Sequence, residues 1–197
     1  MDRPPAPTEP EAFFRDYLPR YFAQSGETFG GATSVGSVTV RVEPAGEWSL
    51  RLRDGALEVT PGMEDDVVIQ ITTPVEDFPA LLSEMAVQAR SGAVRAGSRK
   101  GPLGALLADA ETSRLVRHVP GSLLFVARDG EVRRRLLFTP GRRAAKLDGA
   151  DCTIECALDD LRDAGKTGIT PLALFASGKL RVTGNVQIAM ALSAVLA

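Results

Sequence analysis

The sequence predicts an α/β protein of the α+β type, in which groups of short strands are followed by helices. The 197 residues are 44% hydrophobic, which is enough to bury a core and is not typical of a disordered chain. Two separate stretches, 38–72 and 122–156, contain segments typical of short strands, and apolar and polar residues alternate with a period of two in Val38–Val42 and Trp48–Arg53. Segments with helical periodicity follow each stretch, so the order of elements in the first half recurs in the second.

The first half begins with a proline-rich segment, residues 1–10, which we expect to be a flexible tail. Aromatic residues three and four apart predict a helix over Glu11–Gln24, which Pro19 is expected to kink or split. Asp54-Gly55 favours a tight hairpin turn between two strands, and Pro74–Met85 has an apolar helical face. The predicted strands of this half are Val38–Val42, Trp48–Arg53, Ala56–Thr60 and Val67–Thr72.

The second half begins with a predicted helix over Leu103–Val119. Leu158–Ala164 and Pro171–Ala176 are predicted to be short helices, and Asn185 suits the N-cap of a last helix. The predicted strands of this half are Ser122–Ala127, Val132–Phe138, Asp151–Cys156 and Lys179–Thr183.

An internal repeat is indicated by matches at a common spacing of about 85 residues. Asp66–Ile69 matches Asp151–Ile154, and Ser91–Arg95 matches Ser177–Arg181. We interpret this as a duplication, with a divergent repeat over 11–101 and a second repeat over 102–197. The alternative is a single mixed-sheet domain with coincidental similarity.

Three motifs of the second half occur together and in order. Gly149–Ile154 reads Gly-Ala-Asp-Cys-Thr-Ile, Gly178–Asn185 forms a Gly-Lys-Leu strand-to-helix corner, and an uncharged helix then runs to Ala197. In these motifs the chain resembles the sterol carrier protein type 2 family. The resemblance covers Pro120–Ala197 well and the first half, through Gly46–Gly55 and the strand after Asp66, more loosely.

The resemblance implies a mixed, mainly antiparallel sheet that is covered by helices and encloses an apolar tunnel. It also implies binding, carriage or presentation of a lipid such as a fatty acid, fatty acyl-CoA, isoprenoid or sterol, without enzyme activity and without a cofactor. The predicted lining consists of apolar residues in the strands and helices of the second half: Phe125, Leu136, Phe138, Ile154, Leu172, Phe175, Leu180, Val182, Ile188, Met190, Leu192 and Val195.

The closing segment Val186–Ala197 has apolar residues on most sides and no charge. Such a helix is buried or serves two apolar surfaces, of which one could be the sheet and the other a lipid or a protein partner. The alternatives are therefore a plain core helix, a lipid-binding helix, and a non-catalytic interaction or scaffold protein, for example a homodimer, that docks through this helix.

Other features argue against further functions. A net charge of −2 and the lack of overall basic character argue against nucleic acid as a partner. A single histidine, His118, makes a catalytic triad or a histidine metal cluster improbable, and Cys152 and Cys156 fit buried apolar positions.

Without a signal peptide or a long apolar run, we expect a cytoplasmic protein. Its basic stretch, Arg90–Lys100, could make transient contact with a membrane.

Overall fold

The computed structural model describes residues 8–24, 33–82, 106–144 and 146–196. Its described strands form one eight-stranded sheet with the spatial order β3-β2-β1-β4-β6-β5-β7-β8. The strands are β1 (Ser37–Glu43), β2 (Gly46–Arg53), β3 (Ala56–Pro61), β4 (Val67–Pro74), β5 (Leu123–Asp129), β6 (Val132–Pro140), β7 (Cys152–Ala157) and β8 (Leu180–Gly184).

The sheet is mixed and mainly antiparallel, which confirms the predicted fold class. β1 runs parallel to β4, and β5 runs parallel to β7. The remaining neighbours pair antiparallel. Asp54 and Gly55 both have positive φ, at 50° and 80°, as the tight hairpin turn between β2 and β3 requires.

Helices lie before, between and after the strands. The first, α1, is continuous through Pro10–Ala12, a π-helical turn over Phe13–Tyr17, and Leu18–Gln24. The others are α2 (Ala110–Arg117), α3 (Leu158–Thr167), α4 (Pro171–Ala176) and α5 (Val186–Leu196). Residues 78–82 and 106–108 are also helical.

Two sequence expectations about prolines need correction. The helix predicted from Pro74 does not begin there, because Pro74 is the last residue of β4 and the helical residues start at 78. Pro19 does not split α1, because the chain widens into a π-turn just before it, with the Leu18 N–H bonded to the Phe13 carbonyl. A proline has no N–H to donate, so a wider turn is one way to continue past it.

One face of the sheet is apolar from edge to edge. Side chains of a strand alternate between the two faces, so the registers of all eight strands place one set of residues together. Its members include Leu57, Leu50, Val38, Ile69, Phe138, Leu123, Cys152 and Val182, and α1, α2 and α5 contribute to the same core. The alternating apolar residues of Val38–Val42 and Trp48–Leu52 lie on this face.

The first half of the core is built around aromatic rings. Phe14 of α1 stacks on Trp48 of β2 with a centroid distance of 4.8 Å, and Phe13 meets Phe78 edge to face at 5.5 Å. All four side chains are at most 7% exposed. These rings attach the N-terminal helix to the apolar face, whose far end carries the closing helix α5.

The pairing order β2-β1-β4 recurs in the second half as β6-β5-β7, with the same parallel and antiparallel relations. The duplication and the domain boundaries stay predictions. Ser91–Arg95, the first copy of the corner motif, and Arg90–Lys100, the basic stretch, lie outside the described residues, as does most of the tail over 1–10.

Candidate functional site

The corner between β8 and α5 is fixed by backbone geometry. Gly184 has a φ of +86°, and a Cβ at this position would collide with the carbonyl oxygen of Asp151. That same oxygen accepts a hydrogen bond from the Asn185 N–H at 2.9 Å. The Asn185 side chain accepts a hydrogen bond from the Gln187 N–H at 3.1 Å, which confirms the predicted N-cap.

Asp151 holds the start of β5 at this corner. Its Oδ2 accepts hydrogen bonds from the Ser122 N–H at 2.8 Å and the Ser122 hydroxyl at 3.0 Å. These bonds, the backbone one first, lower the pKa of the Asp151 carboxyl below its ordinary value. Gly121 leaves no room for a side chain, because a Cβ there would press on Ile188 and Asp151.

Helix α5 has a buried side and an exposed side. Ile188 and Leu192 are 1% and 0% exposed and belong to the core, whereas Met190 is 68% exposed and Val186 is 45% exposed. This exposed side also carries the polar Gln187, and Val186 and Met190 are its large apolar residues. Exposed apolar side chains on an uncharged helix are compatible with both a lipid and a partner surface.

The apolar face below α4 and α5 can be described in three rows that cross β6, β5, β7 and β8. One end row holds Phe138, Leu123 and Cys152, and the other holds Arg134, Ala127, Cys156 and Leu180. The members on β5, β7 and β8 are at most 9% exposed, whereas Phe138 and Arg134 on β6 are half-buried.

The middle row lies between them and is less completely covered. It consists of Leu136, Phe125, Ile154 and Val182. Ile154 is buried, whereas the other three are only half-buried. An incompletely covered apolar strip is a place where an acyl chain could replace water.

The structure brings most of the predicted lining residues to this region. Six lie on the same sheet face: Phe125, Leu136, Phe138, Ile154, Leu180 and Val182. Ile188 and Leu192 of α5 are buried in the core, while Leu172, Phe175 and Met190 point to solvent. The side chain of Val195 lies outside the part of the chain that is described. Whether these residues bind a lipid stays a prediction.

The charged end of this face comes from the run Arg133–Arg135. The sequence places these arginines on one strand, so that they cannot all face the same side, but does not indicate which of them pairs with a carboxylate. Arg134 lies on β6, two residues from Leu136, and therefore on the apolar side of the sheet. Its Nη1 lies 3.6 Å from Oδ1 of Asp77, a carboxylate that is only 3% exposed. Arg135 also reaches this carboxylate, with its Nε 3.6 Å from Oδ2.

The two cysteines and the single histidine are the remaining candidate residues. Cys152 and Cys156 are both buried and free, as predicted, and burial raises the pKa of the Cys156 thiol to about 11. His118 is exposed at the end of α2, where its Nδ1 lies 2.7 Å from the Arg114 carbonyl. Among the helices that are described, none is long and apolar enough to cross a bilayer.

The fold and the site thus define an α+β protein with one apolar, helix-covered sheet face and an uncharged closing helix. Residues 104–197 match the model of the SCP-2 sterol transfer family. The resemblance that the corner and closing helix predict is confirmed by this match, which supports lipid binding or transfer as the general class of function. A comparison with curated proteins found no match.

Solved structures of sterol carrier proteins are also similar to this chain. Sterol carrier protein 2 like 2 from Aedes aegypti is 18% identical, with a TM-score of 0.33, and the match covers 61% of this chain and 96% of that one. The apo form of sterol carrier protein 2 from Yarrowia lipolytica is 16% identical, with a TM-score of 0.34, over 56% and 86% of the two chains. A palmitated form of the Aedes protein is 19% identical, with a TM-score of 0.32, over 57% and 89%.

Proposed function

We propose that the protein binds an apolar lipid on the second-half sheet face and carries or presents it without catalysing a reaction. The single observation that favours this is the half-buried middle row, Leu136, Phe125 and Val182, beneath a closing helix without charge. The chain of a fatty acid, fatty acyl-CoA, isoprenoid or sterol-like lipid would lie along this row. Its affinity would come from apolar area removed from water, about 25 cal/mol per Å² before the costs of association.

The exposed apolar side chains fit an entrance to such a site. Leu172 and Phe175 of α4 and Met190 of α5 are between 49% and 76% exposed. α4 packs beside the start of β8, and α5 packs on β7 and β8, so both helices border the middle row. Met190 suits varied ligands, because its side chain is flexible and polarizable.

The proposal is tested by purifying the protein from cells, extracting it with organic solvent and identifying the extract by mass spectrometry. A parallel titration with cis-parinaric acid, a fluorescent fatty acid, measures binding directly. We expect a stoichiometric lipid in the extract or saturable binding of the probe. Val182→Asp should abolish binding, whereas Thr183→Asp, on the opposite face of the same strand, should not. No extracted lipid together with no probe binding would falsify the proposal.

A second candidate is a non-catalytic interaction or scaffold protein, which the exposed Val186 and Met190 on α5 favour. In that case the core is filled and the apolar side of α5 docks a partner or a second copy of the chain. Light scattering of the wild-type protein and of Met190→Glu tests this. A dimer that the substitution dissociates, with no lipid binding in either form, would establish this candidate in place of the first.

A further inference from the structure

The half-buried part of the apolar sheet face continues from the second half into the first. Phe138 lies on β6, two residues from Leu136 and therefore on the same face. It stands directly opposite Ile71 of β4, and Ile71 stands directly opposite Val40 of β1. Phe138, Ile71 and Val40 are half-buried and pack against the core, as most of the middle row does.

Buried residues border this continuation within the first half. The neighbouring residues of the same face on β1 and β4 are at most 2% exposed: Val38, Val42, Ile69 and Thr73. At the far end, Trp48 stands opposite Val40 and is stacked by the ring of Phe14. The incompletely covered part of the first-half face is therefore one residue wide on each strand and ends at β1.

The two half-buried parts meet on β6. The row that continues from Phe138 into the second half is buried, because Leu123 and Cys152 are at most 4% exposed. Leu136 and Phe138 are both half-buried neighbours on one face of this strand, so the strip shifts by one row there. We call Val40, Ile71 and Phe138, together with the middle row, the cross-half strip.

The cross-half strip is longer than the middle row alone. It crosses six strands from β1 to β8, which at about 4.8 Å between neighbouring strands gives roughly 24 Å. The middle row by itself crosses four strands, or roughly 14 Å. An extended hydrocarbon chain advances about 1.3 Å per carbon, since its C–C bonds are about 1.5 Å long and zigzag. The cross-half strip thus fits about 18–20 carbons, and the middle row only about 11.

We infer that the ligand is a lipid with one long, flexible apolar chain of about 18–20 carbons, which crosses from the second half into the first. The inference rests on the proposed function and extends its site. Val40 and Ile71 lie outside residues 104–197, the part of the chain that matches the family model. A strip one residue wide between buried neighbours fits a single chain, whereas a partner protein needs a broad surface. The pairing of β4 with β6 sets the length of chain that is bound.

The test measures displacement of cis-parinaric acid by saturated fatty acids of increasing length, from decanoic and lauric acid to stearic and arachidic acid. We expect the affinity to rise several-fold with each added methylene up to stearic acid, because each one is removed from water on the strip. Farnesol and geranylgeraniol, isoprenoid alcohols that differ by one unit, form a second series. The series that binds more tightly identifies the chain as acyl or isoprenoid.

Val40→Ser and Ile71→Ser test where the long chain lies. Each should weaken binding of stearic acid about tenfold and leave lauric acid unchanged, because the middle row accommodates the shorter chain alone. Unchanged binding of lauric acid also shows that the variant is folded. Arg41→Ser is the matched control on the opposite face of β1. It removes a half-exposed ion pair with Glu47 and should alter neither affinity.

Val40→Phe fills the end of the strip without adding a polar group, and it should shorten the chain that binds best even if the serine variants do not fold. An affinity that levels off at lauric acid in the wild-type protein overturns the inference and leaves the proposed function in place. The same holds for first-half variants that bind stearic acid as the wild type does. Binding of no chain of any length overturns both.

Discussion

Asp151 is a residue at which three segments of the second half meet. Its side chain accepts two hydrogen bonds from Ser122 before β5, and its carbonyl oxygen accepts one from Asn185 before α5. Gly184 brings the chain so close to that carbonyl that no side chain fits. The position of the closing helix therefore depends on a few backbone contacts at one corner.

Asp151→Ala should lower the free energy of unfolding by about 1–2 kcal/mol, because two donors on Ser122 lose a charged acceptor. The hydrogen bonds lower the pKa of Asp151 in the folded state. Their stabilisation is therefore present above the ordinary carboxyl pKa of about 3.9 and is lost as the pH falls through the lowered folded value. Urea unfolding at pH 7 and at pH 3 measures this.

The exposed Asp148 in the same loop gives the control for that substitution. Asp148→Ala should change stability by less than about 0.5 kcal/mol at either pH. A difference between wild type and Asp151→Ala that stays constant down to the lowest pH would contradict the role of the carboxylate.

Gly184→Ala should destabilise the protein by more than about 2 kcal/mol, because it adds a collision with Asp151 to the strain of a positive φ. Gly178→Ala is the comparison, since Gly178 has a similar φ of +73° but open space around it. Thermal melts of both variants separate the two causes. Equal melting temperatures would show that backbone strain alone matters at this corner.

At the scale of elements, the two sides of helix α5 lie in different environments. Its buried side, with Ile188 and Leu192, fills the core above β7, and its apolar but exposed side, with Met190, faces outward. The first side fixes the helix to the sheet, and the second is available to a lipid or to another molecule. Stability and function can thus be separated by substitutions on the same helix.

Leu192→Ala should cost about 2–5 kcal/mol of unfolding free energy, because it removes a fully buried side chain and leaves a cavity. Met190→Ala removes a similar volume from an exposed position and should cost less than about 0.5 kcal/mol. Chemical denaturation of both variants measures the contrast. Similar losses would show that the Met190 side is covered by another part of the chain.

At the scale of the whole molecule, the two halves are joined into one sheet by the antiparallel pair β4 and β6. Asp66 precedes β4 and Asp151 precedes β7, the strands that pair in parallel in each half, and the two aspartates have comparable roles. The Asp151 carbonyl accepts the Asn185 N–H, and the Asp66 carbonyl accepts the Arg117 Nη2–H at 2.5 Å. The hydrogen-bond donor to Asp66 is therefore the side chain of Arg117 in α2, whereas the donor to Asp151 is the backbone of the corner before α5.

The protein should unfold in a single cooperative transition, because the sheet and the core are continuous across β4 and β6. Fluorescence of Trp48, the one tryptophan of the chain, reports on the first half, and far-ultraviolet circular dichroism reports on both. We expect coincident midpoints in urea. A fluorescence transition that precedes the loss of circular dichroism would instead show two independently unfolding halves.

The sequence by itself determined most of the elements, the fold class and the resemblance of the second half to a known family. Apolar residues at every second position locate strands, and apolar residues three or four positions apart locate helices. Each pattern is local, because it places the apolar side chains on the buried side of the element. The glycines and Asn185 located the corner for the same reason, since backbone turns and caps are specified by adjacent residues.

Only the tertiary structure decided the order of strands, the joining of the halves through β4 and β6, and the pairing of Arg134 with Asp77. These contacts join residues far apart along the chain, where no local periodicity records them. The tertiary structure also decided that Leu172, Phe175 and Met190 are exposed while Ile188 and Leu192 are buried. An apolar residue in an uncharged helix with apolar residues on most sides gives no signal of the side it takes, because that depends on what packs against the helix.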